Sequence, residues 1–214
     1  MITLYIETNF FIDFAKNQDQ KTEGLVHFQY PEATAILKIV TPAICCMESL
    51  SVLEGERNRS NRFKSNLEDE VKKLEGDRNS TYSRDIKNCL QLAKIKNSDR
   101  INEINTRLFK VLEWATNNVE LIQLKEDILS ASLENELMTD PTDNLILHCI
   151  IDHAKTSSNE QKVLLSKKSK DKVLLSGNSN HFGTKEIKEI LKESGIQRYF
   201  SNTKDFLSWL QSQF

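Results

Sequence analysis

The chain opens on a short apolar run, Ile2 to Ile6, whose β-branched and aromatic side chains suit a buried strand. It closes on Glu7, after which Thr8 and Asn9 can cap a helix over residues 10–15. A polar loop over 16–22 leads to an ambiguous stretch, 24–28. Pro31 then suits a helix start, and Ala35, Ile36 and Ile39 share one helical face, which predicts a helix over 33–39. Residues 40–43 form a break with a short strand entry. Residues 44–53 read as a mostly apolar helix containing one acid, Glu48, and stopping at Gly55.

From 56 to about 124 the pattern becomes polar with apolar residues at helical spacing. Phe63, Leu67, Val71 and Leu74 form one stripe; Cys89, Leu90, Leu92 and Ala93, then Ile101, Ile104, Leu108 and Leu112, form others. With a turn over 76–81, this predicts two or three amphipathic helices, a hairpin projecting from the domain. A helix over 127–137 follows. Asp140 as N-cap and Pro141 as first helical residue open another over 142–154, with a polar loop over 155–161. The string Lys-Val-Leu-Leu-Ser occurs at 162–166 and again at 172–176. The polar turn and Phe182 after the second copy favour it as the strand. A helix over 185–192, a strand over 196–200 and a helix over 203–210 capped by Asn202 complete the chain. This alternation predicts a three-layer α/β/α fold around a mostly parallel sheet. The 214 residues suit one domain, with a core of 1–55 and 125–214 and a helical insertion at about 56–124.

Composition narrows the function classes. The net charge of −2 supplies no general attraction to nucleic acid, so such binding needs a local basic patch. The insertion, in which Lys and Arg outnumber Asp and Glu, is locally basic. Cys45, Cys46, Cys89 and Cys149 show no CxxC spacing, which argues against a zinc or redox motif and for free thiols in a reducing cytosol. No apolar run approaches the roughly 20 residues that span a bilayer, and no signal peptide is evident, so the expected location is cytoplasmic.

Four polar positions then stand out. Glu7 and Asn178 follow apolar strands, at the rim where parallel sheets bind ligands. Glu48 sits among Ile44, Leu50 and Leu53, and Asp143 lies in the first turn of its helix, one turn after Asp140. Each has a plainer reading: Glu7 as a cap, Glu48 on a solvated face, Asp143 as an acid favoured by the helix dipole, Asn178 as a turn residue. His181 reads as a turn residue beside Phe182, and Asp13 as solvated. Taken together, carboxylates converging in one crevice call for a cation, and hard oxygen ligands favour Mg²⁺ or Mn²⁺.

In order and placement these motifs resemble the PIN domain: Glu7-Thr8-Asn9 after the first strand, Glu48 on a helix, Asp143-Asn144-Leu145-Ile146, then Leu174-Leu175-Ser176-Gly177-Asn178 with His181-Phe182. The likeness covers about 1–55 and 125–210. It departs from the family at Glu7, where Asp is usual, and at Asn178, often Asp. The resemblance implies a metal-dependent endoribonuclease of the kind found among VapC-type toxins and defence nucleases. Glu7, Glu48 and Asp143 would be catalytic and, with Asn178, would hold Mg²⁺ or Mn²⁺. Thr8, Asn9, Asp140 and Ser176 would support those ligands or the phosphate. Products would carry a 5′-phosphate and a 3′-hydroxyl. Arg57, Arg59, Arg62 and Lys64 are candidates to track an RNA backbone. The implied partners are an RNA substrate, an antitoxin or other protein, and a second copy in a homodimer, with no membrane. The alternative is a catalytically weakened scaffold that binds nucleic acid or protein through the insertion, and deleting the insertion is the expected way to separate the two.

Overall fold

The computed structural model describes residues 1–18, 20–26, 37–77, 80–163 and 171–213. The readings at 27–36, Pro31 included, and most of the first Lys-Val-Leu-Leu-Ser copy lie outside them. Among the described residues five strands build one sheet: β1 (Ile2–Ile6), β2 (Leu37–Pro42), β3 (Glu120–Ile122), β4 (Lys172–Leu175) and β5 (Arg198–Phe200). Their order is β3-β2-β1-β4-β5, and every pairing is parallel. All residues of β1 and β4 are buried, which is why both read as short, largely apolar runs, with Thr3 and Lys172 the polar exceptions. The second copy of the repeated string supplies β4, as expected.

The described helices are α1 (Thr8–Lys16), α2 (Gln20–Val26), α3 (Ala43–Leu74), α4 (Thr81–Asn118), α5 (Glu126–Glu134), α6 (Pro141–Val163), α7 (Lys185–Glu193) and α8 (Thr203–Gln211). Strand order runs outward from β1 through β2 to β3, then resumes on the other side with β4 and β5. Right-handed crossovers therefore put α1 to α4 on one face and α5 to α7 on the other. The order reverses between β1 and β4, so their C-terminal ends border the crevice of an open α/β sheet.

Several boundaries differ from the sequence reading. Residues 37–39 belong to β2 rather than a helix, because their apolar side chains satisfy a buried strand as well as a helical face. Residues 20–22 are helical, and 155–163 continue α6 instead of forming a loop. Gly55 does not stop α3: mid-helix glycine costs about 1 kcal/mol, a small sum against a 32-residue helix packed on α1 and α4. The short edge strand β3 lies inside the stretch read as wholly helical.

Helices α3 and α4 form an antiparallel hairpin. Glu75 pairs with Lys87, Glu68 with Lys94, and Arg57 with Asn105. Its two halves differ. The C-terminal half of α4 buries Ile101, Ile104, Leu108, Val111 and Ala115, a stripe at helical spacing, whereas its N-terminal half buries only Ser83. Arg107 of α4 donates to the Phe14 carbonyl at the end of α1, at 3.0 and 2.8 Å, and Lys16 pairs with Glu56 of α3 at 2.6 Å. The base of the hairpin thus fixes α1, whose first turn carries the site. No helix among the described residues is long and apolar enough to cross a membrane.

Candidate active site

Glu7 ends β1 and is itself the N-cap of α1: its Oε2 accepts the Asn9 backbone N–H at 2.7 Å. Thr8 and Asn9, expected as the caps, instead form the helix's first turn. Glu7 is 2% exposed. The Ser176 side chain also hydrogen-bonds this carboxylate, yet Oε1 is buried with no partner among the described residues. Burial above all pushes the Glu7 carboxyl up to about 8; the charges of Asp143 and Glu48 push the same way, while Asn9 and Ser176 oppose them.

Glu48 projects from the first turns of α3, half-buried, and accepts a hydrogen bond from the Thr8 hydroxyl. Burial raises its carboxyl, as do Asp143 and Asp140. Asp143 stands in the first turn of α6, 8% exposed. Asp140 caps that helix, its Oδ1 accepting from Thr142 N–H at 2.9 Å and Asp143 N–H at 3.0 Å. Asn178 follows β4 and donates from Nδ2 to Asp143 Oδ2 at 2.9 Å. Its own backbone N–H donates to the Ser176 hydroxyl oxygen at 3.1 Å. Glu7, Glu48, Asp143, Asn178, Thr8, Asn9, Asp140 and Ser176 therefore surround one crevice at the sheet's switch point.

The reading of His181 as only a turn residue is corrected: its Nδ1 contacts Asp143 Oδ2. The turn over 178–183 brings it there, with Phe182 and Gly183 donating backbone N–H groups to Asn178 and Ser179. Asp13 is half-buried rather than solvated, and it lines a pocket of about 290 Å³ beside the crevice with Phe10, Gln18 and Gly177. The sequence signals for both were present but weak: His181 lies three residues beyond Asn178, and Asp13 lies one and a half turns after Glu7. Tyr199 went unnoticed because it sits on another strand; its hydroxyl donates to the Ser176 carbonyl at 2.9 Å.

The arginines picked for RNA lie apart from this cluster, on α3, and two are engaged elsewhere. Arg57 pairs with Asn105 at 2.5 Å and Glu54 at 3.6 Å, and Arg59 with Glu56 at 2.7 Å. Arg62 is exposed and Lys64 half-buried.

Among the described residues no three His, Cys, Asp or Glu side chains are already gathered as a metal-ready group. Two of the acids are turned to other donors: Asp143 to Asn178 and His181, Glu48 to Thr8. The chemistry of the donors nevertheless fits a hard divalent cation. All are oxygens, one buried oxygen lacks a partner, and Asp143 and Glu48 raise the proton affinity of Glu7 as Asp143 does that of Glu48.

These features define a doubly wound, all-parallel α/β protein with an acidic crevice at its topological switch point. Residues 4–172 match the family model of the PIN domain, a span that includes the helical hairpin, and the chain belongs to that family of nucleases. No curated protein and no solved structure matched the chain.

Proposed function

We propose that this PIN-domain protein is a divalent-metal-dependent endoribonuclease. The observation that carries the reading is Glu7: a fully buried carboxylate with one unpartnered oxygen, facing Asp143 and Glu48. A fold keeps such a group where a ligand compensates it. Glu7, Glu48 and Asp143 would hold Mg²⁺ or Mn²⁺, with Asn178 adding a neutral oxygen after its side chain turns. When bound, the ion would polarise a phosphodiester and lower the pKa of its attacking water. Thr8 orients Glu48; Asn9 N–H and Ser176 orient Glu7; Asp140 sets the α6 terminus that presents Asp143. His181 holds the Asp143 carboxylate in place.

The test is Mn²⁺-dependent cleavage of a panel of single-stranded and structured RNAs, with Asp143→Asn beside wild type. A loss of at least a hundredfold in the variant is expected, on the scale of losing a charge-stabilising group. Undiminished cleavage by Asp143→Asn would remove this site. One observation favours a second reading, a binding module with weakened chemistry: Asp143 and Glu48 are occupied by Asn178, His181 and Thr8. That reading predicts RNA binding with no turnover by wild type at high Mn²⁺.

A further inference from the structure

The basic residues are not spread evenly in their state of neutralisation. On the hairpin most of the lysines near acids are paired, as with Lys73–Glu70, Lys87–Glu75 and Lys94–Glu68. The other end of the sheet differs. Helix α7 reads Lys-Glu-Ile-Lys-Glu-Ile-Leu-Lys-Glu. Lys185, Lys188 and Lys192 recur at i, i+3 and i+7 and share one flank. Glu186, Glu189 and Glu193 share another, while Ile187 and Leu191 are buried against the sheet. Lys188 has no acid three or four residues away on the helix, whereas Lys185 and Lys192 each have Glu189 at such a spacing. Among the described residues none of Lys185, Lys188, Lys192 or Arg198 takes part in an ion pair.

A pocket of about 110 Å³ opens between Lys188, Lys192, Gln197, Arg198 and Tyr199. Lys188, Lys192 and Arg198 are exposed on its rim. Lys188 Nζ lies 5.1 Å from the centre of the Tyr199 ring, and the Arg198 guanidinium stacks 5.4 Å over Trp209. β5 is the edge strand beside β4, opposite β3, and Tyr199 links this rim to the acidic crevice through its bond to Ser176. The Glu7 carboxylate reaches the Tyr199 phenol electrostatically: burial first, then Glu7, pushes it up to about 12.

We infer that the β5 edge, through Lys185, Lys188, Lys192 and Arg198, binds the sugar-phosphate backbone of single-stranded RNA and leads it past Tyr199 to the Glu7–Asp143 crevice. The inference rests on the endoribonuclease reading for the choice of RNA. Its physics is local: a patch of unneutralised cations attracts a polyanion although the whole chain is slightly acidic. Lys185 to Lys192 spans roughly 10 Å of helix, which suits a short run of phosphates on one strand. Aromatic rings beside the cations fit exposed bases of a single strand, which a duplex does not offer.

The experiment is fluorescence anisotropy with labelled oligouridine in chelator, so that no turnover intervenes, over a series of salt concentrations. Lys188→Gln/Lys192→Gln is compared with wild type, with Arg198→Gln, and with Arg57→Gln/Arg59→Gln as control. The lysine pair should weaken binding on the order of tenfold and lower the slope of log K against log salt by about 1.4, with the control near wild type. Arg198→Gln, a single contact, should lower the slope by about half as much. Unchanged affinity and slope in both edge variants, a larger loss in the hairpin control, no binding by wild type, or tighter binding of an RNA duplex would each overturn the inference. Binding through the edge without Mn²⁺-dependent cleavage would sustain it while sinking the nuclease reading. Cleavage with binding indifferent to the edge variants would do the reverse.

Discussion

Glu7→Gln gives the most direct access to the electrostatics of the crevice. In the folded protein the Glu7 carboxyl is raised from 4.5 to about 8, first by burial and then by Asp143 and Glu48. In the unfolded chain it ionises at its ordinary value. A group whose folded pKa is raised contributes stability that is full below the unfolded pKa and is lost as pH climbs to the folded one. For Glu7 that window runs from 4.5 to about 8. The loss is about 1 kcal/mol at pH 5 and about 3 kcal/mol at pH 7, at about 1.4 kcal/mol per pKa unit. Glutamine keeps the shape and cannot ionise. Urea unfolding in chelator should therefore show the variant gaining roughly 2–3 kcal/mol on wild type between pH 5 and pH 7. Burial lowers the His153 pKa, and the resulting change in stability falls partly in the same range, but it is common to both proteins and cancels in the difference. Saturating Mn²⁺ at pH 8 should then stabilise wild type more than the variant, by up to about 2.7 kcal/mol at a hundredfold excess over Kd. Parallel stability curves in chelator would refute the burial argument for Glu7.

Three further outcomes follow from single contacts. Thr8→Val removes the hydroxyl that holds Glu48; Mn²⁺ affinity by calorimetry should fall on the order of tenfold with little change in fold. Gly183→Ala would set a Cβ 2.4 Å from the Ser179 carbonyl oxygen, backbone that cannot yield cheaply. The thermal midpoint should drop by several degrees, for a cost of roughly 1–3 kcal/mol. Trimming the hairpin tip beyond the Glu68–Lys94 pair should leave a folded protein by circular dichroism with its Mn²⁺-dependent activity retained, whereas removing 56–124 should prevent folding.

The strands and acids that border the crevice were readable because each rests on a local pattern. Ile2 to Ile6 and Lys172 to Leu175 are largely apolar, Thr3 and Lys172 excepted, because both strands are covered on two faces. Asp140 and Pro141 marked the start of α6 through capping chemistry that needs no tertiary partner. What escaped was decided by tertiary contact. Residues 37–39 are apolar enough for either element, and pairing with β1 settles them as strand. β3 is three residues long, too short for any period to show. His181 became a partner of Asp143 only because the turn after β4 folds back on the crevice. Packing of α3 on α4 sets Arg57 against Asn105, whereas the pairs Arg57–Glu54 and Arg59–Glu56 are i,i+3 contacts within α3 that the sequence already contained.

The hairpin shows the same limit on a larger scale. As sequence, 56–124 is one polar, basic stretch that a deletion should remove cleanly. In the structure its base is core. Ile101, Ile104, Leu108, Val111 and Ala115 are buried, Arg107 caps α1 through the Phe14 carbonyl, and β3 extends the sheet beside β2. Burying such side chains contributes about 1.5–3 kcal/mol each for the larger ones, so their joint loss, together with that of β3, is on the order of the whole margin by which a domain is stable. Glu7 would lose its support too, because α1 is held at its far end by Arg107 and Lys16. A whole-insertion deletion therefore cannot tell a nuclease from a scaffold: both would unfold. The division that matters runs across the hairpin, between a base that positions α1 and a tip whose α4 half buries only Ser83.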